Sequence, residues 1–257
     1  VSAMYNGFYT AASGMLMQQG TLNAIANNLV NQDTPGYKAE RVISTTFEQE
    51  MLTRLEKGNT ARIGAGSPIR ILSEVASDYE AGIIVESDSP FDIAISGEGF
   101  FCIQGQDNIY YTRNGSFSAD EEGYLVLEGI GRVLGQNGPI YVGGSEFTIS
   151  PDGTVTLPNQ FATDSMLIFI PEQYILLQKE ANGLYTYTAE GGVPGGAYFP
   201  LPEGTMLLQY AVEKSNVEFN RELSLLMEAQ RNFQACSQIL KGLDQINQKA
   251  ATQIASL

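Results

Sequence analysis

Residues 1–38 read VSAMYNGFYTAASGMLMQQGTLNAIANNLVNQDTPGYK, with no charged side chain before Asp33. Val1, Phe8, Met15, Leu22 and Leu29 recur every seven residues, and Met4, Ala11, Gln18 and Ile25 form a second series offset by three. Two such series make a narrow a/d seam, the pattern of a long helix that buries one stripe against another helix. At 1.5 Å per residue the helix would be about 45 Å long. Gly7, Gly14 and Gly20 interrupt it, each costing roughly 1 kcal/mol relative to Ala. With no ion pairs to compensate, it is either a core helix or one that orders on assembly. Pro35-Gly36 has the chemistry of a type I or II turn and stops the helix.

A matching pattern closes the chain. Phe219, Leu226, Phe233, Leu240, Asn247 and Ile254 form one seven-residue series, and Ala229, Cys236, Leu243, Ala250 and Leu257 the other. Ser215 with Glu218 fits a capping box ahead of this helix. Between the helices the period shortens. Ile69–Ile71, Phe91–Ile95, Tyr124–Leu127 and Met166–Ile170 are short apolar runs separated by Gly, Asp, Asn and Pro, the signature of strands and turns. Asn114-Gly115, Glu122-Gly123, Asp152-Gly153 and Asn182-Gly183 are the expected tips. Phe47, Met51 and Leu55 at four-residue spacing predict a short second helix. The Gly- and Ser-containing stretch 58–68 predicts a linker. The fold expected is α+β: terminal helices in a coiled coil (residues 1–38 and 213–257), a short helix and linker (39–68) and an inserted all-β domain (69–212).

Composition removes most chemistry. The net charge of −15 opposes binding to nucleic acid or anionic membrane. There is no histidine, which excludes Ser-His-Asp and Cys-His nucleophile systems and His-containing zinc sites. Cys102 and Cys236 are too few for a disulfide framework and are expected as buried thiols. No run is long enough to span a membrane, and the N-terminus lacks the basic and apolar regions of a secretory signal. Carboxylate pairs such as Asp88/Asp92 lie in turn contexts, in a chain with no Trp to stack on sugar. The Gly97-Glu98-Gly99 turn runs into strand rather than into a helix N-terminus, which argues against a phosphate loop. No catalytic residue, metal ligand, cofactor or small-molecule substrate is expected. The twelve acidic side chains between Leu72 and Ile130, against Arg113 alone, read as a solvated sheet surface or as a face for a basic partner.

Four stretches, in order, resemble the bacterial flagellar basal-body rod and hook proteins. Residues 26–38 (ANNLVNQDTPGYK) are similar to the family's N-terminal signature, with Val30 where Ala is usual. Residues 92–101 (DIAISGEGFF) and 111–117 (YTRNGSF) resemble its central motifs. Residues 215–217 with Glu228-Ala229-Gln230-Arg231 resemble its closing signature. Tyr210 stands where Gly is usual. The resemblance implies a rod subunit of the distal- or proximal-rod kind, without cofactor. Its terminal helices would line a helical homopolymer, and its neighbours would be other rod and hook proteins. Export would use the flagellar type III apparatus without a cleaved signal. The assembly contacts would lie on Phe8, Met15, Leu22, Ile25, Leu29, Leu226, Phe233, Leu240 and Leu243, with Asn27, Asn28, Pro35 and Gly36 shaping the turn. The alternative is a secreted or cell-surface binding module whose β domain holds a ligand and whose coiled coil oligomerises it.

Overall fold

The computed structural model describes residues 2–46, 50–56, 59–66, 70–105, 108–158, 164–180, 183–187, 197–198, 201 and 204–255. Its class is α+β: two long helices and many antiparallel strands. The chain divides into two compact units, one of Val1–Val30, Glu40–Asp78 and Glu218–Leu257, the other of Asn31–Ala39 and Tyr79–Val217.

The first unit is built on α1 (Ser2–Val30) and α2 (Phe219–Ala255). The helices pack antiparallel: a Cβ built on Gly14 would lie 3.3 Å from the Cys236 sulfur, and one on Gly7 would lie 4.0 Å from a Leu243 methyl. Gly7 and Gly14, which weaken α1 in isolation, therefore stand where the neighbouring helix passes. Strand β1 (Glu40–Thr46) pairs antiparallel with β4 (Arg70–Ser77), and both contact α1. Between them β2 (Glu50–Glu56) pairs with β3 (Asn59–Gly66).

This arrangement corrects the reading of residues 39–78. Met51 and Leu55 lie on a strand, not on a short helix; Phe47 lies outside the described residues. Four-residue spacing satisfies a strand's two-residue period as well as a helix's. The neighbouring Val42, Ile43, Thr45 and Thr46 favour the strand. The expected linker contains β3, which pairs antiparallel with β2, Glu56 opposite Asn59. Ile71 extends the same unit through β4 and does not open the β unit.

The second unit is centred on a ten-stranded antiparallel sheet. Its main path runs Leu177–Lys179, Leu184–Tyr187, Ile109–Thr112, Phe100–Gln104, Gly131–Gly135, Leu125–Leu127 and Ser118–Ala119. Phe101, Ile103, Leu125, Val133 and Ile140, all solvent-free, form one core with Ile93 and Leu207. A second cluster joins Phe100, Cys102, Tyr111, Phe169 and Tyr185, with Tyr111 stacked on Phe169 at 4.1 Å between centroids. Burial pushes the Cys102 thiol up to about 12, against a weaker opposing effect of its hydrogen bond with the Phe169 backbone. Cys102 is therefore the inert buried thiol expected, whereas Cys236 is half-buried.

Gly123 and Gly153 occupy tips as expected, with the Asp120 and Asp152 side chains accepting backbone N–H bonds across their turns. Asn182 lies outside the described residues. Gly115 does something else: a Cβ there would fall 1.7 Å from the Ile93 carbonyl oxygen, so it is a point of backbone contact and not a hairpin tip. The capping box is also absent. Ser215 Oγ accepts the Val217 N–H two residues on, and α2 begins only at Phe219.

Candidate assembly interface

Burial along α1 and α2 separates an inner seam from an outer face. On α1 the buried positions are Ala11, Ala24, Ile25 and Asn28, with Met15, Gln18, Leu22 and Leu29 half-covered beside them. On α2 Glu222 and Ala229 are buried, and Leu226, Phe233, Cys236, Leu240 and Leu243 are half-covered at alternating spacings of three and four. Of the expected interface residues, Met15, Leu22, Ile25, Leu29, Leu226, Phe233, Leu240 and Leu243 thus lie on the seam within one chain. Phe8 does not close on it and stays 38% exposed.

A second seven-residue series on each helix remains in solvent. On α1 it is Tyr9, Leu16, Asn23 and Val30; Leu16 is 63% and Val30 81% exposed. On α2 it is Leu225, Asn232, Ile239 and Ile246, with Ile239 55% exposed. Leu16 lies five residues past Ala11, about 140° round the helix from the seam. Neither series contains a charge. Between α1, β1 and α2 there is a cavity of about 300 Å³, its floor made by Met17, Ala24, Ile25, Val42, Leu225 and Ala229. Arg41, Arg221 and Glu228 also border it.

The turn residues have defined tasks. Asn28 grips one residue of β1 from both sides: its Oδ1 accepts the Glu40 N–H at 2.8 Å, and its Nδ2 donates to the Glu40 carbonyl at 2.9 Å. Nδ2 also reaches the Glu222 carboxylate at 3.3 Å, and Asn27 Nδ2 donates to the Glu40 carboxylate at 3.1 Å. An amide carries donor and acceptor on one plane, which is what matching a peptide group requires. In the β unit, Thr34 C=O accepts the Tyr37 N–H at 3.3 Å, closing a turn with Pro35 and Gly36 at its centre. Gly36 has φ of +67°, and a Cβ on it would sit 2.2 Å from the Arg113 carbonyl carbon. Only glycine fits there.

Beyond this turn lies an ion cluster that the expected residues did not include. Lys38 Nζ donates to Glu213 Oε1 at 2.6 Å and to the Glu80 carbonyl at 2.7 Å. Arg113 Nη1 reaches Glu213 Oε2 at 3.1 Å and the Ile95 carbonyl at 3.2 Å, and its Nη2 reaches the Gly97 carbonyl at 2.6 Å. The three side chains are 1%, 1% and 5% exposed for Lys38, Glu213 and Arg113. Lys38 and Arg113 sit inside stretches singled out in the sequence, but only the fold reveals the carboxylate they share.

Among the described residues no cluster of His, Cys, Asp or Glu could hold a metal, and no helix is long and apolar enough to cross a membrane. The second described cavity, at Tyr141–Glu146 with Leu157 and Pro158, has one acidic residue rather than the acidic turns that a ligand-binding module would need.

Residues 8–38 match the family described as flagella basal body rod protein. Residues 94–157 match the flagellar hook protein FlgE/F/G D1 domain, and residues 208–254 the flagellar basal body rod FlgEFG protein C-terminal family. The chain is 30% identical to the flagellar basal-body rod protein FlgG of Buchnera aphidicola subsp. Schizaphis graminum, over 96% of this chain and 98% of that one. It is 29% identical to the flagellar hook-basal body complex protein FlhO of Bacillus subtilis, over 99% and 100%. With FlgF of Salmonella typhimurium the identity is 28%, again over 99% and 100%. The chain belongs to the flagellar basal-body rod protein family.

Proposed function

We infer that this protein is a structural subunit of the bacterial flagellar basal-body rod that polymerises through its terminal helices. The observation that carries this reading is the double patterning of α1 and α2: one seam is covered within the chain, and a second uncharged apolar stripe on each helix is left open. In a homopolymer the helix pair acts as one coiled-coil element of the inner layer. Its open stripes pack on neighbouring copies, and the β unit is the insertion between the two helices in the chain. Covering one Leu, Ile or Val contributes about 1.5–3 kcal/mol, so the five aliphatic side chains of the two stripes supply on the order of 10 kcal/mol gross per copy. Head-to-tail contacts that do not close give an open helix, as a rod needs. Other rod and hook proteins continue the stack at its ends, and the protein reaches it by the flagellar type III route without cleavage.

Charge placed on the open stripe tests the reading. Leu16→Asp and Ile239→Asp should abolish polymers seen by negative-stain microscopy while the far-UV dichroism of the monomer stays unchanged. Leu22→Asp and Leu240→Asp, on the inner seam, should abolish polymers and loosen the helix pair as well. Normal rods from either open-stripe variant would sink the assignment.

A further inference from the structure

The chain first crosses into the β unit through residues 31–39, returns to the helix unit for residues 40–78, re-enters at Tyr79 and finally leaves through residues 213–217. The first and last crossings are held side by side. Gly36 N–H donates to the Glu213 carbonyl at 2.7 Å, and Ala39 N–H donates to Asn216 Oδ1 at 2.7 Å. Asn216 Nδ2 in turn donates to the Glu80 carbonyl at 3.1 Å, the same oxygen that receives Lys38 Nζ. Everything converges on the Glu213 side chain. One oxygen takes Lys38 from the incoming crossing and also the Gly82 N–H at 2.9 Å; the other takes Arg113 from the middle of the chain. The cluster is buried and carries two cations on one carboxylate.

We propose that Glu213 is a latch: a single carboxylate that closes the neck of the β unit by bridging Lys38 and Arg113, and that does so only once strand Ala211–Glu213 has docked beside Ile84–Glu86. Its partners lie 175 and 100 residues away, so the latch reports that the first, middle and last parts of the unit are all in place. The sharing makes the cluster asymmetric. Removing Lys38 leaves a matched Arg113–Glu213 pair. Removing the Glu213 charge takes from two buried cations the carboxylate they share, the costlier defect. The inference concerns the neck alone and stands whether or not the chain polymerises.

Native-state hydrogen exchange on the full chain tests it. Glu213→Gln should speed exchange of the Gly36, Ala39 and Gly82 amides by roughly 100-fold or more, with the Phe101 and Ile103 amides of the central sheet changed by less than about threefold. Lys38→Met should raise the same three neck amides by less than about tenfold. The double variant Lys38→Met/Glu213→Gln should exchange more slowly there than Glu213→Gln alone, because one stranded cation is gone. If Glu213→Gln does not fold, Glu213→Asp keeps the charge but shortens the reach, and should speed the neck amides selectively. Three results would each overturn the latch: equal rises in neck and central sheet, Lys38→Met as harmful as Glu213→Gln, or no relief in the double variant.

Discussion

The two units of this chain hold their surfaces in opposite ways. The β unit has solvent-free Phe101, Ile103, Val133, Ile140 and Ile168 at its centre. It carries nineteen acidic side chains against five basic ones. The helix unit carries ten and nine, close to neutral. Half of its buried helix positions are alanine, and Ile25 is the one large aliphatic side chain on the described helices that is buried. A unit that is complete in water can be strongly charged outside, since the charges stay solvated and keep copies apart. A unit that must lie among copies of itself has to avoid that repulsion. The two stripes it leaves open, through Leu16 on α1 and Ile239 on α2, then carry no charge even in the single chain.

The largest expected effect contrasts one residue from each unit. Phe101→Ala should cost about 3–5 kcal/mol, the range for deleting a buried aromatic side chain. Leu16→Ala, on the open stripe, should change monomer stability by no more than about 0.5 kcal/mol. Urea unfolding, followed by tyrosine fluorescence for the β unit and ellipticity for the helices, checks both. Comparable losses would mean that the two units are equally finished, and the contrast would fail.

Alkaline pH sharpens the same comparison. Cys102 has its pKa raised from 9.0 to about 12 by burial, and burial also raises Tyr111, with which it shares a cluster. The folded chain keeps the Cys102 proton at a pH where the unfolded chain has released it. This contribution is full below pH 9 and declines as pH rises toward 12. The loss is about 1.4 kcal/mol per pH unit for the thiol in that window. Pulse proteolysis of the β unit between pH 8 and 11 should show the decline, and Cys102→Ala should flatten it. An unchanged slope in that variant would assign the alkaline loss to other groups.

The smallest effect concerns one strained backbone position. Tyr210 keeps φ of +58°, in the left-handed region that favours glycine, and its carbonyl accepts the Ser87 N–H at 2.8 Å. A side chain in this region costs about 1–2 kcal/mol, and Tyr210 is half-exposed, so it recovers little by burial. Tyr210→Gly should stabilise the β unit by roughly 1 kcal/mol in the same urea assay. A loss of stability instead would show that the tyrosine ring contributes contacts that outweigh the backbone strain.

These particulars show what a single sequence discloses. The α1 and α2 seams were readable because a helix repeats its face every three to four residues, so the pattern is local. The strands Ile93–Ser96, Phe100–Gln104, Leu125–Leu127 and Ile168–Phe169 were readable as short apolar runs between turn residues, also a local pattern. Their order was not: Leu184–Tyr187 lies beside Ile109–Thr112, and nothing in either stretch names the other. Met51 and Leu55 misled because their spacing suits both periods. The coarse class and family were legible from motifs, but the contacts that give those motifs their purpose were hidden by distance along the chain. Asn28 meets Glu222 across 194 residues, and Lys38 meets Glu213 across 175.

The grip of Asn28 on Glu40 has one more consequence, for the angular phase of α1. By fixing the last turn of the helix against the main chain of β1, it sets the rotation of every residue upstream. Inserting one residue between Leu16 and Asn28 would turn Tyr9 and Leu16 by about 100° and aim the open stripe elsewhere, with the hydrophobic content unchanged. Inserting seven would restore the direction to within about 20°. The outward stripe is thus indexed from a side chain that it never touches, and chain length between the two is as much a part of the interface as the apolar residues are.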